Sequence, residues 1–162
     1  MELTQSYLKE YLSYESGTGI FTWIKSYRNQ RLGKIVGMID RDGYRTITFK
    51  RKHYRAHRLA WFYVYGKWPN IQIDHIDGIR DNNSIDNLRE VSFAGNSQNQ
   101  RKSHADSKYG LIGIDKLSHR KLFRARISIN GKRKTLGYFK TPEEAHIAYL
   151  EAKRKHHPTC TI

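Results

Sequence analysis

The sequence is poor in cysteine and in uninterrupted apolar segments. Its single cysteine, Cys160, excludes an internal disulfide and a cysteine-bound zinc site. The longest wholly apolar run covers residues 59–65, which is far shorter than the roughly 20 residues needed to cross a bilayer. No charged and then apolar signal segment opens the chain. These absences lead us to expect a cytoplasmic protein of a reducing compartment, with no membrane partner.

Acidic residues are also scarce, and their distribution along the chain is uneven. The 162 residues include 30 lysines and arginines against 15 acids, which gives a formal net charge of +15. Residues 1–70 carry 13 bases and 5 acids, and residues 101–162 carry 15 bases and 5 acids, but residues 71–100 carry 2 bases and 5 acids. Such a basic excess is typical of proteins that bind nucleic acid, with an anionic membrane surface as the alternative. We interpret the basic flanks as holding a polyanion and the acidic segment as acting locally on it.

Short helices and strands are predicted before the acidic segment. Apolar spacing predicts a helix over residues 4–12, with Thr4 as its N-cap. A strand follows the turn in "ESGTGIFTW", and Asp42-Gly43 marks the turn of a hairpin in "GKIVGMIDRDGYRTITF". A second helix, ending at Gly66, is predicted for "YRAHRLAWFYVYG", because four residues lie on one face at helical spacing: His57, Ala60, Trp61 and Val64.

The acidic segment predicts the order strand, loop, strand, helix over residues 71–101. "IDHIDG" contains Asp74, an oxygen ligand suited to Mg²⁺, and His75, which is neutral near pH 7 and can take a proton from water. Asn96 or Asn99 can supply a second, neutral oxygen. A metal and a base are what phosphodiester hydrolysis requires. The same residue types also occur in an ordinary polar turn with a hydrogen-bonded histidine, and the residues alone leave both interpretations open.

A different organisation is predicted after residue 100. The polar stretch "QRKSHADSKYG" predicts a linker, and Asn130-Gly131 predicts the turn of a hairpin between two strands. "YGLIGIDKL" predicts a third strand, and Thr141 with Glu144 forms a capping box for a final helix. This arrangement is a three-stranded antiparallel sheet backed by one helix. One face of the middle strand meets the apolar stripe of that helix: Phe123, Ala125, Ile127 and Ile129.

The other face of that strand leaves Arg124 and Arg126 open. Nearby charge is mostly positive, from Lys121, Arg124, Arg126, Lys132, Arg133 and Lys134, whereas a merely solvated face usually mixes signs. A narrow sheet can enter the major groove of DNA, where arginines contact guanine edges and lysines hold phosphates. We expect no aromatic residue on the Arg124 and Arg126 face, which disfavours RNA as the partner.

The acidic segment resembles the HNH endonucleases of the phage-borne and homing type. The resemblance lies in Asp74-His75, in Asn87-Leu88-Arg89 and in Asn96 on the predicted helix, and it extends through "YRAHRLAWFYVYGKWPNIQIDHIDG" and "SQNQRKS". It implies a ββα-metal (His-Me finger) site with one divalent cation. His75 would activate water, Asp74 and Asn96 would bind the metal, and Asn87 would orient the loop and His75. Asn96 replaces the last histidine of the family pattern, which favours Mg²⁺, with Mn²⁺ as the alternative, over zinc.

Residues 109–157 resemble the AP2 DNA-binding domain. The similarity lies in "YGLIGI" and in "KLFRARISINGKRKTLGYFKTPEEAHIAYLEAK", of which "LGYF" and "TPEEAHIAY" are close to the family signature. This resemblance implies that the sheet face binds the major groove. By matching position, the DNA-binding residues would be Arg124, Arg126 and Arg133, with Lys116, Lys121 and Lys134 on phosphates.

Together these observations predict an α+β chain with two regions. Residues 1–104 would form the HNH nuclease region, with its ββα-metal core at about 71–101, and residues 105–162 the AP2-like DNA-binding domain. We expect a monomeric, metal-dependent endonuclease of double-stranded DNA, of the site-preferring nicking or homing type and of phage or prophage origin, with no small-molecule cofactor. The alternatives are a non-catalytic DNA-binding regulator and a protein that binds or cuts RNA.

Overall fold

A computed structural model describes residues 3–26, 32–99, 108–117 and 121–161. The chain divides into two compact units, Met1–Ser92 and Phe93–Ile162. The predicted domain boundary between residues 104 and 105, and most of the predicted linker, lie outside the described residues. No helix in the described ranges is both long enough and apolar enough to cross a membrane.

Within its described residues, the first unit combines two helices with three small antiparallel sheets. The elements in chain order are α1 (Gln5–Tyr11), β1 (Leu12–Glu15), β2 (Ile20–Trp23), β3 (Met38–Ile39), β4 (Arg45–Phe49), β5 (Lys52–Arg55), α2 (Ala56–Tyr65), β6 (Gln72–His75), a 3₁₀ turn (Ile85–Asn87) and β7 (Leu88–Val91). The sheets pair β1 with β2, β3 with β4 and β4 with β5, and β6 with β7.

Local sequence signals predicted several of these elements. Thr4 caps α1, since its side chain accepts a hydrogen bond from the Tyr7 N–H group at 3.3 Å. The hairpin of β3 and β4 is confirmed around Asp42-Gly43. Helix α2 ends at Gly66, whose φ of 71° is the left-handed conformation typical of a C-cap glycine.

Two strands and one helix face differ from the prediction. The β4–β5 turn consists of Lys50 and Arg51, both with positive φ, and a turn without glycine or asparagine gives no sequence signal. Strand β1 was not predicted because it continues directly from α1. On α2 the buried side chains include Leu59 and Phe62, whereas Val64 is 39% exposed. The predicted stripe was therefore wrong at Val64, because tertiary packing selects a neighbouring face.

The core of the first unit is built from aromatic and aliphatic side chains contributed by every sheet. Trp23 and Phe49 stack with their ring centroids 6.1 Å apart, and Tyr14 and Phe21 pack at 4.7 Å. Burial of these apolar groups is the main force that holds the small sheets together. The core includes Leu8, Leu12, Phe21, Trp23, Val36, Ile47, Phe49, Ala56, Leu59, Ala60, Phe62, Ile73 and Leu88.

The second unit contains the predicted three-stranded antiparallel sheet and its helix. The sheet order is β10-β9-β8, and helix α4 packs against β9, where Ala125 and Ile127 are buried. The predicted capping box of Thr141 and Glu144 is confirmed at the start of α4. The elements are α3 (Phe93–Gln98), β8 (Ile114–Lys116), β9 (Phe123–Ile129), β10 (Lys132–Phe139) and α4 (Pro142–His156).

Helix α4 approaches the sheet closely at Gly113. This glycine has a φ of 77°, and a Cβ atom built on it would lie 2.0 Å from the ring of Tyr149. No side chain larger than hydrogen fits there without displacing the tyrosine. The contact fixes the position of α4 against the segment that leads into β8.

Gly113→Ala is expected to destabilise the second unit by about 3 kcal/mol or more, because it combines left-handed backbone strain with overpacking. Gly110→Ala is the matched control. Its φ of 64° is also positive, but nothing lies within 4 Å of a built Cβ, so only the backbone cost of about 1–2 kcal/mol applies. Urea unfolding of the two variants measures the difference, and equal losses would contradict the packing role of Gly113.

Candidate active site

Strand β6 ends with the two residues that the sequence singled out, Asp74 and His75. Both side chains are buried, at 7% and 5% exposure. Asp74 lies opposite Arg89 in the register of β6 and β7, and the Arg89 guanidinium donates to Asp74 Oδ2 from Nη2 at 2.8 Å and from Nε at 3.1 Å. A buried carboxylate requires such a partner. The cross-strand pairing therefore fixes the orientation of Asp74.

His75 lies in a cluster of three rings. Its imidazole meets His57 edge to face, with centroids 5.1 Å apart at 85°, and the ring of Tyr44 lies 6.0 Å away. His75 Nε2 is 3.4 Å from Asn83 Oδ1. Burial is the largest influence on the pKa of His75 and lowers it, while the contact with Asn83 acts in the opposite direction. The lowered pKa keeps the ring neutral at pH 7.

The amide of Asn83 indicates which nitrogen of His75 carries the proton. Asn83 Nδ2 donates to the Asp81 carbonyl at 2.9 Å, so Oδ1 is the atom that faces the imidazole. An oxygen acceptor at this position pairs with an Nε2–H donor. In the neutral ring the basic lone pair is then on Nδ1.

The loop that follows His75 is closed by Asn87. Asn87 Oδ1 accepts from the Asp77 N–H group at 3.0 Å, and Nδ2 donates to Asp77 Oδ1 at 3.0 Å and to the Asn82 carbonyl at 2.8 Å. Burial acts to raise the pKa of Asp77, but hydrogen bonds from the Ile79 N–H group and from the two asparagine amides together lower it. The side chain of Asn87 thus joins both ends of the loop.

A hairpin distant in sequence supports the same loop. Tyr14 Oη donates to the Asn83 carbonyl at 2.7 Å, and Ser84 Oγ donates to the Ser16 carbonyl at 3.0 Å. Gly19, with a φ of 73°, lies so close that a built Cβ would be 2.2 Å from the Asn83 carbonyl carbon. Burial raises the pKa of Tyr14, which keeps its hydroxyl protonated as a donor. These contacts could not be predicted from the sequence, because each joins residues that are more than 60 positions apart.

One arginine of β4 and one arginine of the loop itself make contacts that hold the loop. Arg45 binds Asp81 with two bonds, from Nε at 2.8 Å and from Nη2 at 2.7 Å. The guanidinium of Arg80 lies 4.9 Å from the centroid of the Tyr44 ring, and its Nη1 donates to the Asp42 carbonyl at 2.7 Å. The loop acids are therefore paired individually with neighbouring groups and do not form a single negative pocket.

The predicted catalytic and metal-binding residues fall in both units. Asp74, His75 and Asn87 belong to the first unit, and Asn87 reaches His75 through the loop that it closes. Asn96 lies on α3 in the second unit, so its role as a partner of Asp74 stays a prediction. Within the described ranges, no three histidine, cysteine, aspartate or glutamate side chains gather as a metal-binding group. One carboxylate with amide oxygens fits a magnesium-type ion, which keeps several of its waters.

The predicted DNA-binding residues lie on both sides of the second sheet. Residues paired across strands share a side, so Arg124, Arg126 and Arg133 lie together, with Asp115 opposite Arg124. Lys134 pairs with Ile127 and Lys116 with Phe123, which places both lysines on the opposite side. Lys121 is exposed just before β9. Phosphate contacts by the three lysines stay a prediction, and for Lys116 and Lys134 they would have to be made around the sheet edges.

An aromatic residue lies on the arginine side, contrary to expectation. A β-bulge between Thr135 and Gly137 shifts the register of β10, so that Tyr138 pairs with Arg124 and is 55% exposed. Strict alternation from Arg133 would place Tyr138 on the other side. The prediction that this face has no aromatic residue is wrong, and RNA is no longer disfavoured on that ground.

The buried His57 is expected to make stability depend on pH. Burial lowers the pKa of His57 from 6.5 to about 3, and the neighbouring His75 acts in the same direction. Between these values the unfolded chain binds a proton that the folded chain does not, so the free energy of unfolding falls as the pH falls from 6.5 toward 3. This group contributes up to about 1.4 kcal/mol per pH unit.

His57→Phe should remove that part of the slope when urea unfolding is followed across pH 7 to 4. The matched control is His53→Phe, which removes an exposed histidine. Equal slopes in the His57 variant and the wild type would contradict a buried, neutral His57.

Comparison with known proteins adds one match. Residues 54–98 match a protein-family model described as HNH endonuclease, a segment that runs from β5 through α2, β6 and β7 to the end of α3. No curated protein and no solved structure matches the chain. The match includes Asp74, His75, Asn87 and Asn96, and it indicates a nuclease-type function, which implies a nucleic-acid substrate. Residues 54–98 therefore carry an HNH endonuclease domain.

Proposed function

We propose that the chain is a metal-dependent endonuclease that hydrolyses phosphodiester bonds in double-stranded DNA. One observation carries the proposal: inside the matched segment, Asp74 and a neutral His75 are buried side by side at the end of β6, next to a loop closed by Asn87. A nuclease needs an oxygen ligand and a base in fixed positions. Successive side chains of a strand point to opposite faces, so in this proposal the reacting phosphate lies at the end of β6, where the strand turns into the loop.

In this proposal His75 is the general base. Its lone pair on Nδ1 takes a proton from the attacking water, and the Nε2–H contact with Asn83 holds the ring while the positive charge develops. Asn83 keeps its position through Tyr14 and Asp81. Asn87 acts through the loop and is a positioning residue.

Asp74 and Asn96 would hold one divalent cation, Mg²⁺ or alternatively Mn²⁺. When bound, this cation neutralises the charge that develops on the phosphate and on the leaving oxygen. The Arg89 guanidinium orients the Asp74 carboxylate from the neighbouring strand. A neutral amide as the second ligand is a hard oxygen donor, which suits these ions better than zinc.

The finer assignments rest on charge and on resemblance. The net charge of +15 supports DNA as the partner, and the arginine face of the second unit supports an AP2-like role for Arg124, Arg126 and Arg133. A monomer with one site per chain would nick one strand. A site-preferring nicking or homing enzyme of phage or prophage origin, acting in the bacterial cytoplasm, fits this combination.

Supercoiled plasmid incubated with the protein tests the proposal on a gel. Conversion to open circles should occur with Mg²⁺ and stop with EDTA. His75→Ala should slow cutting by roughly 10²–10⁴-fold, as expected for loss of a general base, while plasmid retardation is unchanged. His53→Ala, which removes an exposed histidine, should cut like the wild type.

Other outcomes would identify a different function. Equal loss of cutting and binding in His75→Ala would contradict the role of His75 as a base. Retardation of several unrelated DNAs without any cutting in Mg²⁺ or Mn²⁺ would instead support the non-catalytic regulator.

A further inference from the structure

Among the residues that the structure describes, the arginine face of the second sheet contains one acid, Asp115. Register places seven exposed or half-buried side chains on this side: Asp115 on β8, Arg124, Arg126 and Ser128 on β9, and Arg133, Thr135 and Tyr138 on β10. The opposite side is the one that α4 covers, where Ala125 and Ile127 are buried. The face therefore has three positive charges and one negative charge.

Asp115 binds both arginines of β9 at once. Its Oδ2 accepts a hydrogen bond from Arg124 Nη2 at 2.8 Å, and its Oδ1 accepts a weaker one from Arg124 Nε at 3.4 Å. Arg126 forms an ion pair with the same carboxylate, with Nε 2.8 Å from Oδ1. One carboxylate thus joins two guanidinium groups that lie two residues apart on the same strand. A guanidinium has five N–H donors, so each arginine retains donors that Asp115 does not use.

This pairing contributes little to folding. The side chains of Asp115, Arg124 and Arg126 are between 27% and 35% exposed, and ion pairs at such sites are screened by water. What the pairing does fix is geometry, because a free arginine side chain samples many rotamers and each bond to the carboxylate removes several of them. A recess next to this carboxylate is lined by Gly113, Ile114, Asp115, Arg126, Ile127, Ser128 and Arg133. One lining donor, the guanidinium of Arg126, is therefore held by Asp115 at a concave part of the surface.

We propose that Asp115 is the specificity-determining residue of this face. It orients Arg124 and Arg126 toward base edges of duplex DNA, and its negative charge weakens their contact with the phosphate backbone. Oriented donors form bidentate bonds with little further ordering, whereas contacts with phosphates carry no sequence information. This inference rests on the proposed function, in which DNA is the substrate.

The test uses the full chain in EDTA, so that binding is measured without cutting. Asp115→Asn keeps the size of the side chain and removes its charge. Glu151→Gln is the matched control, because it removes one negative charge from an exposed position of α4 in the same unit. Each protein is used to select duplexes from a random-sequence library, and affinity for one random duplex is then measured between 50 and 200 mM salt, which is roughly the range in which counterion release dominates.

For Asp115→Asn we expect discrimination between selected and random duplexes to fall roughly tenfold, as for the loss of one base-contacting group. Affinity for the random duplex should rise, and the slope of log affinity against log salt should steepen by about 0.9 for one added phosphate contact. Glu151→Gln should leave discrimination and slope close to wild type. Asp115→Glu, which keeps the charge, should restore most of the discrimination.

Three results would overturn the inference. The same selection and the same salt slope for Asp115→Asn and Glu151→Gln would leave the proposed function intact and remove only the role of Asp115. Preference of the wild type for single-stranded RNA of the same length over duplex DNA would assign the face, with its exposed Tyr138, to a different partner. Failure of the wild type to bind any duplex would defeat the proposed function together with this inference.

Discussion

The candidate site depends on the side chain of Asn87, which makes three hydrogen bonds to the loop after His75. One amide satisfies a backbone donor, a carboxylate and a backbone carbonyl, so it joins the beginning and the end of the loop. Each of these partly buried polar groups would cost free energy if it lost its partner. The three hydrogen bonds therefore favour the closed conformation of the loop over open ones. The position of Asn83 beside His75 follows from that closure.

Three acids of the acidic segment are each held by their own neighbouring groups. Asp74 pairs with Arg89 from the neighbouring strand, Asp81 pairs with Arg45 from β4, and Asp77 is surrounded by amide donors. Charges paired in this way orient side chains and do not accumulate a strong negative potential. The segment is therefore compatible with a polyanionic substrate, although its composition alone suggests repulsion.

Much of the architecture could be predicted because local signals specify it. The caps at Thr4 and Thr141 and the turn at Asn130-Gly131 lie within a few residues of the elements that they define. The order strand, loop, strand around His75 follows from the alternation of apolar and polar residues on the two strands. The choice of Asp74 and His75 as site residues came from their residue types within one short segment, and their roles stay a prediction.

Other features could not be predicted because they depend on contacts across the chain. The bulge before Tyr138 changes the side of the sheet on which the ring lies, and the residue types around the bulge do not predict its position. The structure buries His57 on α2, and its contact with the ring of His75 could not be predicted, because it depends on the packing of α2 against β6. The contacts of Asp115 with Arg124 and Arg126 could not be predicted either, because they depend on the register of β8 against β9.

The contact of Gly19 with residues 83 and 84 defines how much chain an autonomous nuclease module requires. The family match begins at residue 54. Tyr14 and Gly19, which contact the backbone of Asn83, belong to a hairpin more than 30 residues before that point. A segment limited to residues 54–98 would contain the proposed site residues but would lack the hairpin that contacts Asn83. Transplanting the chemistry into another scaffold would therefore mean transplanting this hairpin as well.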